Sequence, residues 1–167
     1  MQIGNNAVPL LRDFVSQLYD LKKEEASAKE DRKDLVEEMK AKDLPVAAML
    51  ALLKRDEEKV EGQLEAQRKA GAILGITVYT EVDEEELAVD EAEVIFAKDR
   101  IEAIRETDAD LERIKKEVKD KLAQVKKDGF VPKIVMMLVD FRLDPDKQTA
   151  FSTNSLLVEK YLEAVGD

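Results

Sequence analysis

The sequence predicts an all-α protein: two tandem repeats of long helix, short helix and final helix, forming an elongated coiled-coil-like bundle. Three observations carry that expectation. The 167 residues are 44% hydrophobic and 39% charged, with only 5% aromatic and six glycines, a mixture typical of long amphipathic helices rather than sheets. Apolar residues recur at alternating intervals of three and four, the mark of a helix with one buried face. Most prolines and glycines fall at the ends of those periodic stretches rather than inside them.

The first helix is expected to open near Val8-Pro9, because proline suits an opening turn. Its stripe runs through Leu11, Phe14, Val15, Leu18, Leu21, Ala28, Leu35, Val36 and Met39. Glu25 and Arg32 interrupt it, which argues against a perfect two-stranded coiled coil. The helix should end around Lys42-Asp43-Leu44-Pro45, since a residue before proline resists helical angles. Pro45 then opens a further helical stretch towards Leu74-Gly75, with Gly75 as its cap and Gly62 weakening its interior.

Residues 76–95 change character. Thr77-Val78-Tyr79-Thr80 is briefly strand-like and Asp83-Glu84-Glu85-Glu86 is densely acidic; the stretch reads as a solvated linker, with room for a short helix capped by Thr80 or Asp83. A second long helix should begin at Asp90 or Glu91 and carry Ile95, Ile101, Ile104, Leu111, Ile114, Val118, Leu122 and Val125. Lys127-Asp128-Gly129-Phe130 stops it, and Pro132 opens a short, apolar helix over residues 134–141. Asp144-Pro145-Asp146 marks a turn. A last helix, with Ser152, Thr153 or Asn154 as candidate caps, carries Leu156, Leu157, Tyr161, Leu162 and Val165 before Gly166.

The halves read as copies. A shift of 86 residues places Val15 on Ile101, Leu18 on Ile104, Ala28 on Ile114, Met39 on Val125 and Leu44 on Phe130. Polar pairs follow: Lys33-Asp34 falls on Lys119-Asp120, and Lys40 on Lys126. The second copy then gains about five residues near Asp144, after which Leu74-Gly75 corresponds to Val165-Gly166. The expected organisation is a first unit at 8–75, an acidic linker at 76–95 and a second unit at 96–167. Each unit alone has a thin core, so it should pack on its twin or on a second chain.

Absences bound the function. Without Cys there are no disulfides, no thiolate catalysis and no Cys-based metal sites; without His the commonest general base and metal ligand is gone. No Trp and three Tyr leave few stacking platforms for single-stranded nucleic acid. The chain is expected to be no enzyme and to need no cofactor or metal. Its longest apolar run, residues 46–53, falls far short of the roughly 20 residues that span a bilayer, and residues 1–10 lack the features of a secretory signal. A cytoplasmic protein is expected. The net charge of −11 argues against a uniformly basic nucleic-acid binder, so the placement of the positive charges matters more than their number.

Several segments resemble one family. Phe14-Val15-Ser16-Gln17-Leu18-Tyr19-Asp20-Leu21-Lys22-Lys23-Glu24-Glu25 resembles the opening of the GapR family of chromosome-associated proteins. Val118-Lys119-Asp120-Lys121-Leu122-Ala123-Gln124-Val125-Lys126 and Gly129-Phe130 resemble that family's middle, and Tyr161-Leu162-Glu163-Ala164-Val165-Gly166 is similar to its terminal Tyr-x-x-Ala-Leu-Gly. The resemblance covers most of both halves and leaves out roughly residues 76–95. It implies a nucleoid-associated binder of duplex DNA, of the kind found in alphaproteobacteria and their phages, whose chains close around the duplex and favour overtwisted DNA. Family chains carry one such unit; two fused here imply that one chain replaces a dimer and that a homodimer replaces the tetramer. The family's DNA-facing lysines, about seven residues apart, transfer to Lys119, Lys126 and Lys133 in the second copy and to Lys33 and Lys40 in the first. Its later basic positions fall on Met136, Leu143, Ala47, Leu50 and Glu57.

Other readings stand beside that one. The lysines can be ordinary solvent-facing residues paired with carboxylates such as Glu37 and Asp120. An acidic scaffold of this kind can also be a protein-interaction module that co-assembles with, or antagonises, a DNA-binding protein by mimicking DNA's charge. The apolar short helices would then be partner surfaces, although Met-rich stripes at helical spacing are usually core or oligomer interface. An enzyme using Glu24 with Asp108, or Mg²⁺ at Asp83 to Glu86, has only the abundance of acids behind it.

Overall fold

The periodicity and punctuation translate into helices, and only helices, among the described residues of a computed structural model, which are 7–54, 64–76, 90–150 and 156–166. In chain order these are α1 (Ala7–Lys40), α2 (Val46–Lys54), α3 (Leu64–Leu74), α4 (Glu91–Lys127), α5 (Pro132–Leu143), α6 (Pro145–Ala150) and α7 (Leu156–Val165). The all-α expectation holds.

Each long helix ends for a local reason. After α1, Asp43 takes a left-handed φ of 53°, and the Leu44 amide donates back to the Met39 carbonyl at 3.2 Å. After α4, Gly129 does the same at φ 86°, and the Phe130 amide donates to the Val125 carbonyl at 3.0 Å. Both turns satisfy carbonyls that a helix end otherwise leaves open. Lys40 and Lys126-Lys127 sit in the last turns, at the negative end of the helix dipole, while Glu91 and Glu93 occupy the positive first turn of α4. Asp90 accepts from the Ala92 amide at 3.3 Å and opens that helix.

Two elements differ from the sequence expectation. Asp144 to Asp146 was expected to be a turn, yet Pro145 begins the six-residue α6. Proline tolerates the first helical position because its missing N–H would have no partner there, and the Lys147 amide donates to the Asp144 carbonyl at 3.0 Å. The stretch from Pro45 to Leu74 is described as α2 and α3, with Gly62 outside the described residues. The linker features at residues 77–89 and the candidate caps Ser152, Thr153 and Asn154 also lie outside them.

The helices pack as two compact units, Met1–Ser27 with Leu111–Asp167, and Ala28–Asp110. These boundaries fall inside α1 and α4, so packing divides the chain differently from the sequence copies at 8–75 and 96–167. In the first unit Leu11, Phe14, Val15 and Leu18 of α1 pack with Val125, Phe130, Val135, Leu138, Val139, Phe141 and Tyr161. Phe130 stands edge-on to both Phe14 and Tyr161, with ring centroids 6.1 Å apart in each pair. The Val131 amide donates to the Tyr161 hydroxyl at 3.1 Å. In the second unit Met39, Leu44, Val46, Met49, Ala70 and Ile73 pack with Ala97, Ile101 and Ile104 of α4. The apolar short helices are therefore core: Met49 in α2 and Val135 and Val139 in α5 have no exposed surface.

The 86-residue shift relates part of the two cores, while Phe14 falls on Arg100 and Val46 on Pro132, which belong to neither. Leu11, Val15 and Leu18 of one correspond to Ala97, Ile101 and Ile104 of the other; Val125, Phe130 and Val135 correspond to Met39, Leu44 and Met49. With the five-residue insertion counted, Tyr161 corresponds to Ala70.

The interruptions of the stripe are accommodated by charge. Glu25, buried to 8% exposure, accepts from Lys22 at 2.7 Å. Arg32 reaches across to Asp108 of α4 with its Nε at 2.6 Å, and Arg100 reaches Glu38 at 2.6 Å; these two pairs set α1 and α4 antiparallel within the second unit. Ile95 was expected on the apolar stripe but is 57% exposed. It lies two residues before buried Ala97, a turn of roughly 200° about the helix axis, which points it away from the core that Ala97, Ile101 and Ile104 share.

Candidate nucleic-acid interface

Lysines can follow a phosphate backbone only if they share a face, stand in solvent and are not already neutralised. All five sequence-predicted residues are exposed: Lys33 and Lys40 on α1, Lys119 and Lys126 on α4, and Lys133 in the first turn of α5. They differ in their neighbours. Lys33 lies 3.9 Å from the Glu37 carboxylate. Lys40, Lys119, Lys126 and Lys133 form no ion pair with described residues. Lys33 and Lys40 belong to one compact unit, and Lys119, Lys126 and Lys133 to the other.

Helix geometry enlarges the second set. At about 100° per residue, Lys119 and Lys126 lie about 20° apart around α4. Lys116 and Lys127 fall about 60° and 80° from Lys119 on one side. Both are exposed and neither forms an ion pair among the described residues. Four lysines thus share an arc of about 100° over a rise of about 16 Å, a length of duplex that carries roughly ten phosphate charges. Sequence reasoning by heptads missed Lys116 and Lys127, because spacing of seven selects a line where helical angle selects a face. Two further cations of the helix are taken up: Lys115 pairs with Glu112 at 2.7 Å, and Arg113 holds both Glu24 and Glu117.

The corresponding face of α1 is a different surface. Glu30 stands in the place of Lys116, Glu37 in that of Ala123 and Ala41 in that of Lys127. Residues 112–133 contain eight basic and four acidic side chains, whereas the matching residues 26–47 contain five and six. Only the second copy presents a net positive face in a chain whose net charge is −11.

The carboxylates that an enzyme reading would use are otherwise engaged. Glu24 receives Arg113 and Asp108 receives Arg32, while Asp83 to Glu86 lie outside the described residues. Among the described residues no three carboxylates converge to hold a metal ion, and no helix is long and apolar enough to cross a membrane. Compared with family models, with curated proteins and with solved structures, the chain matches none.

Proposed function

We propose that this chain is a non-enzymatic, GapR-like nucleoid protein that binds the phosphate backbone of duplex DNA through the α4–α5 lysine face. The observation that carries the reading is the arc of Lys116, Lys119, Lys126 and Lys127, exposed and free of ion pairs among the described residues, with Lys133 following on α5. Glu112 and Asp120 border the arc, but neither pairs with its lysines among the described residues, Glu112 being held by Lys115, so the four ammonium groups remain open to an anion. Lysine ammonium groups on flexible stems act as point charges and follow phosphates without reading bases. Any preference among duplexes then arises from groove shape and deformability. The matched cores support the further reading of the chain as two fused copies of one helical unit, so that one copy supplies the basic face and the other a near-neutral counterpart.

The test is fluorescence anisotropy of a labelled 30-base-pair duplex at low salt, with wild-type protein and with Lys119→Glu, Lys126→Glu. The proposal requires binding by the wild type and its loss in the double variant, with helicity unchanged by circular dichroism. No binding by the wild type would overturn it and leave a protein partner as the better reading.

A further inference from the structure

Away from the lysine face, the first compact unit encloses a groove of ≈ 590 Å³ between α1, α5 and α7, within the range of about 300–1,000 Å³ typical of sites for small organic ligands. Its floor is apolar, formed by Val15, Leu138, Phe141 and Leu162. Two guanidinium groups, Arg12 and Arg142, line it, and no carboxylate does so among the described residues.

Neither arginine is neutralised by a described residue. Arg12 spends only its Nε, donating to the Ala164 carbonyl at 2.9 Å, a contact that anchors the end of α7 and leaves its terminal N–H groups without acceptors among the described residues. Gly166, at φ +69°, passes so near that an added Cβ would lie 3.1 Å from an Arg12 terminal nitrogen. Arg142 stacks on the Tyr19 ring at 4.5 Å and makes no ion pair with the described residues. The Ser16 hydroxyl and Gln148 amide, also lining the groove, form no hydrogen bond with described residues. An apolar floor flanked by cationic donors, with no anion to satisfy them among the described residues, is complementary to an anion that carries an apolar body.

We propose that this groove binds a small amphiphilic carboxylate, an alkyl or aryl acid held at its head by Arg12 and Arg142 and packed along Val15, Leu138, Phe141 and Leu162. A carboxylate offers two oxygens to the fork of a guanidinium, and Ser16 and Gln148 supply further donors at the rim. The site stands independently of duplex binding, because none of its residues belongs to the lysine face.

The test is a titration of the ¹⁵N-labelled full chain with sodium decanoate, followed by amide and arginine Nε resonances, with 1-decanol as the headgroup control. The expected result is saturable binding of one equivalent, perturbing Leu162 and Gly166 amides and the Arg12 Nε–H. Loss of one charged hydrogen-bonding partner weakens binding by about tenfold or more, so Arg142→Gln should bind decanoate that much more weakly. Arg142 makes no hydrogen bond to backbone, and its stack on Tyr19 at 4.5 Å is the only contact with described residues that this variant gives up, so its melting temperature should fall by no more than a few degrees; Arg12→Gln, which also releases α7, serves as the second variant. Absence of saturable shifts at millimolar decanoate would overturn the proposal. So would equal affinity for decanol, an unaltered affinity in both arginine variants, or association with phosphatidylglycerol vesicles but not with monomeric decanoate.

Discussion

Replacing Gly129 by alanine tests whether the two helix-ending turns obey the same physics with different residues. Gly129 sits at φ +86° with nothing within 4 Å of an added Cβ, so the substitution meets no clash and its whole effect is conformational. A left-handed backbone costs an L-residue roughly 1–2 kcal/mol, and the reduced freedom of the unfolded chain returns about 0.4–1 kcal/mol. The net expectation is a loss of about 1 kcal/mol. Asp43 occupies the matching turn at φ 53°, and there the reciprocal change applies. Asp43→Gly relieves a milder strain, because aspartate tolerates this region better than most residues, and removes an anion from the negative end of α1, worth about 0.3 kcal/mol. The greater freedom that glycine gives the unfolded chain takes back about 0.4–1 kcal/mol, so a net change within about 0.5 kcal/mol of zero is expected. Urea denaturation followed at 222 nm measures both, with melting shifts of about 3 °C per kcal/mol as a check. A Gly129→Ala protein as stable as the wild type, or an Asp43→Gly protein destabilised as much as Gly129→Ala, would refute the reasoning.

Three further outcomes follow from the packing. Leu18→Ala and Ile104→Ala delete corresponding side chains that are both fully buried; each should cost about 2–5 kcal/mol in the same urea measurement, and a cost below 1 kcal/mol at either would contradict the assigned core. Tyr161→Phe removes the acceptor of the Val131 amide and should destabilise the first unit by about 1 kcal/mol, visible as faster hydrogen exchange at Val131. A double-mutant cycle on Arg32→Gln and Asp108→Asn should give a coupling of no more than about 1 kcal/mol, because both side chains remain about a third exposed and solvent screens them.

Much of the fold was legible in the sequence because its signals are local. Asp90-Glu91 opening α4, Gly129 and Asp43 ending the long helices, and Pro132 opening α5 each act within a few residues. The threes-and-fours spacing correctly marked Leu11, Val15, Leu18, Ile101, Ile104 and Val125 as buried. What escaped depends on partners. Ile95 fits the spacing of an apolar stripe, and only the packing at Ala97 and Ile101 decides that it faces outward. The helix at Pro145 was hidden because Asp-Pro-Asp serves equally as a turn or as a helix start. The bounds of the compact units were not legible, since the burial of Leu11, Val15 and Leu18 beside Val125 and Phe130 joins parts of the chain that no local signal connects. At the lysine face the spacing of seven found Lys119 and Lys126 and placed Glu37 beside Lys33, but a line of sevens left out Glu30, which stands where the second stretch has Lys116.

The salt dependence of duplex affinity tests the central claim most directly. Five lysines on the α4–α5 face predict a slope of log K against log salt near −4.5, a fall of roughly 500-fold between 50 and 200 mM. Lys119→Gln with Lys126→Gln should flatten it to about −2.7, while Lys33→Gln with Lys40→Gln should leave it near the wild-type value. Equal flattening by the two pairs would contradict the assignment of binding to the second copy alone, and affinity indifferent to salt would contradict binding through phosphates altogether.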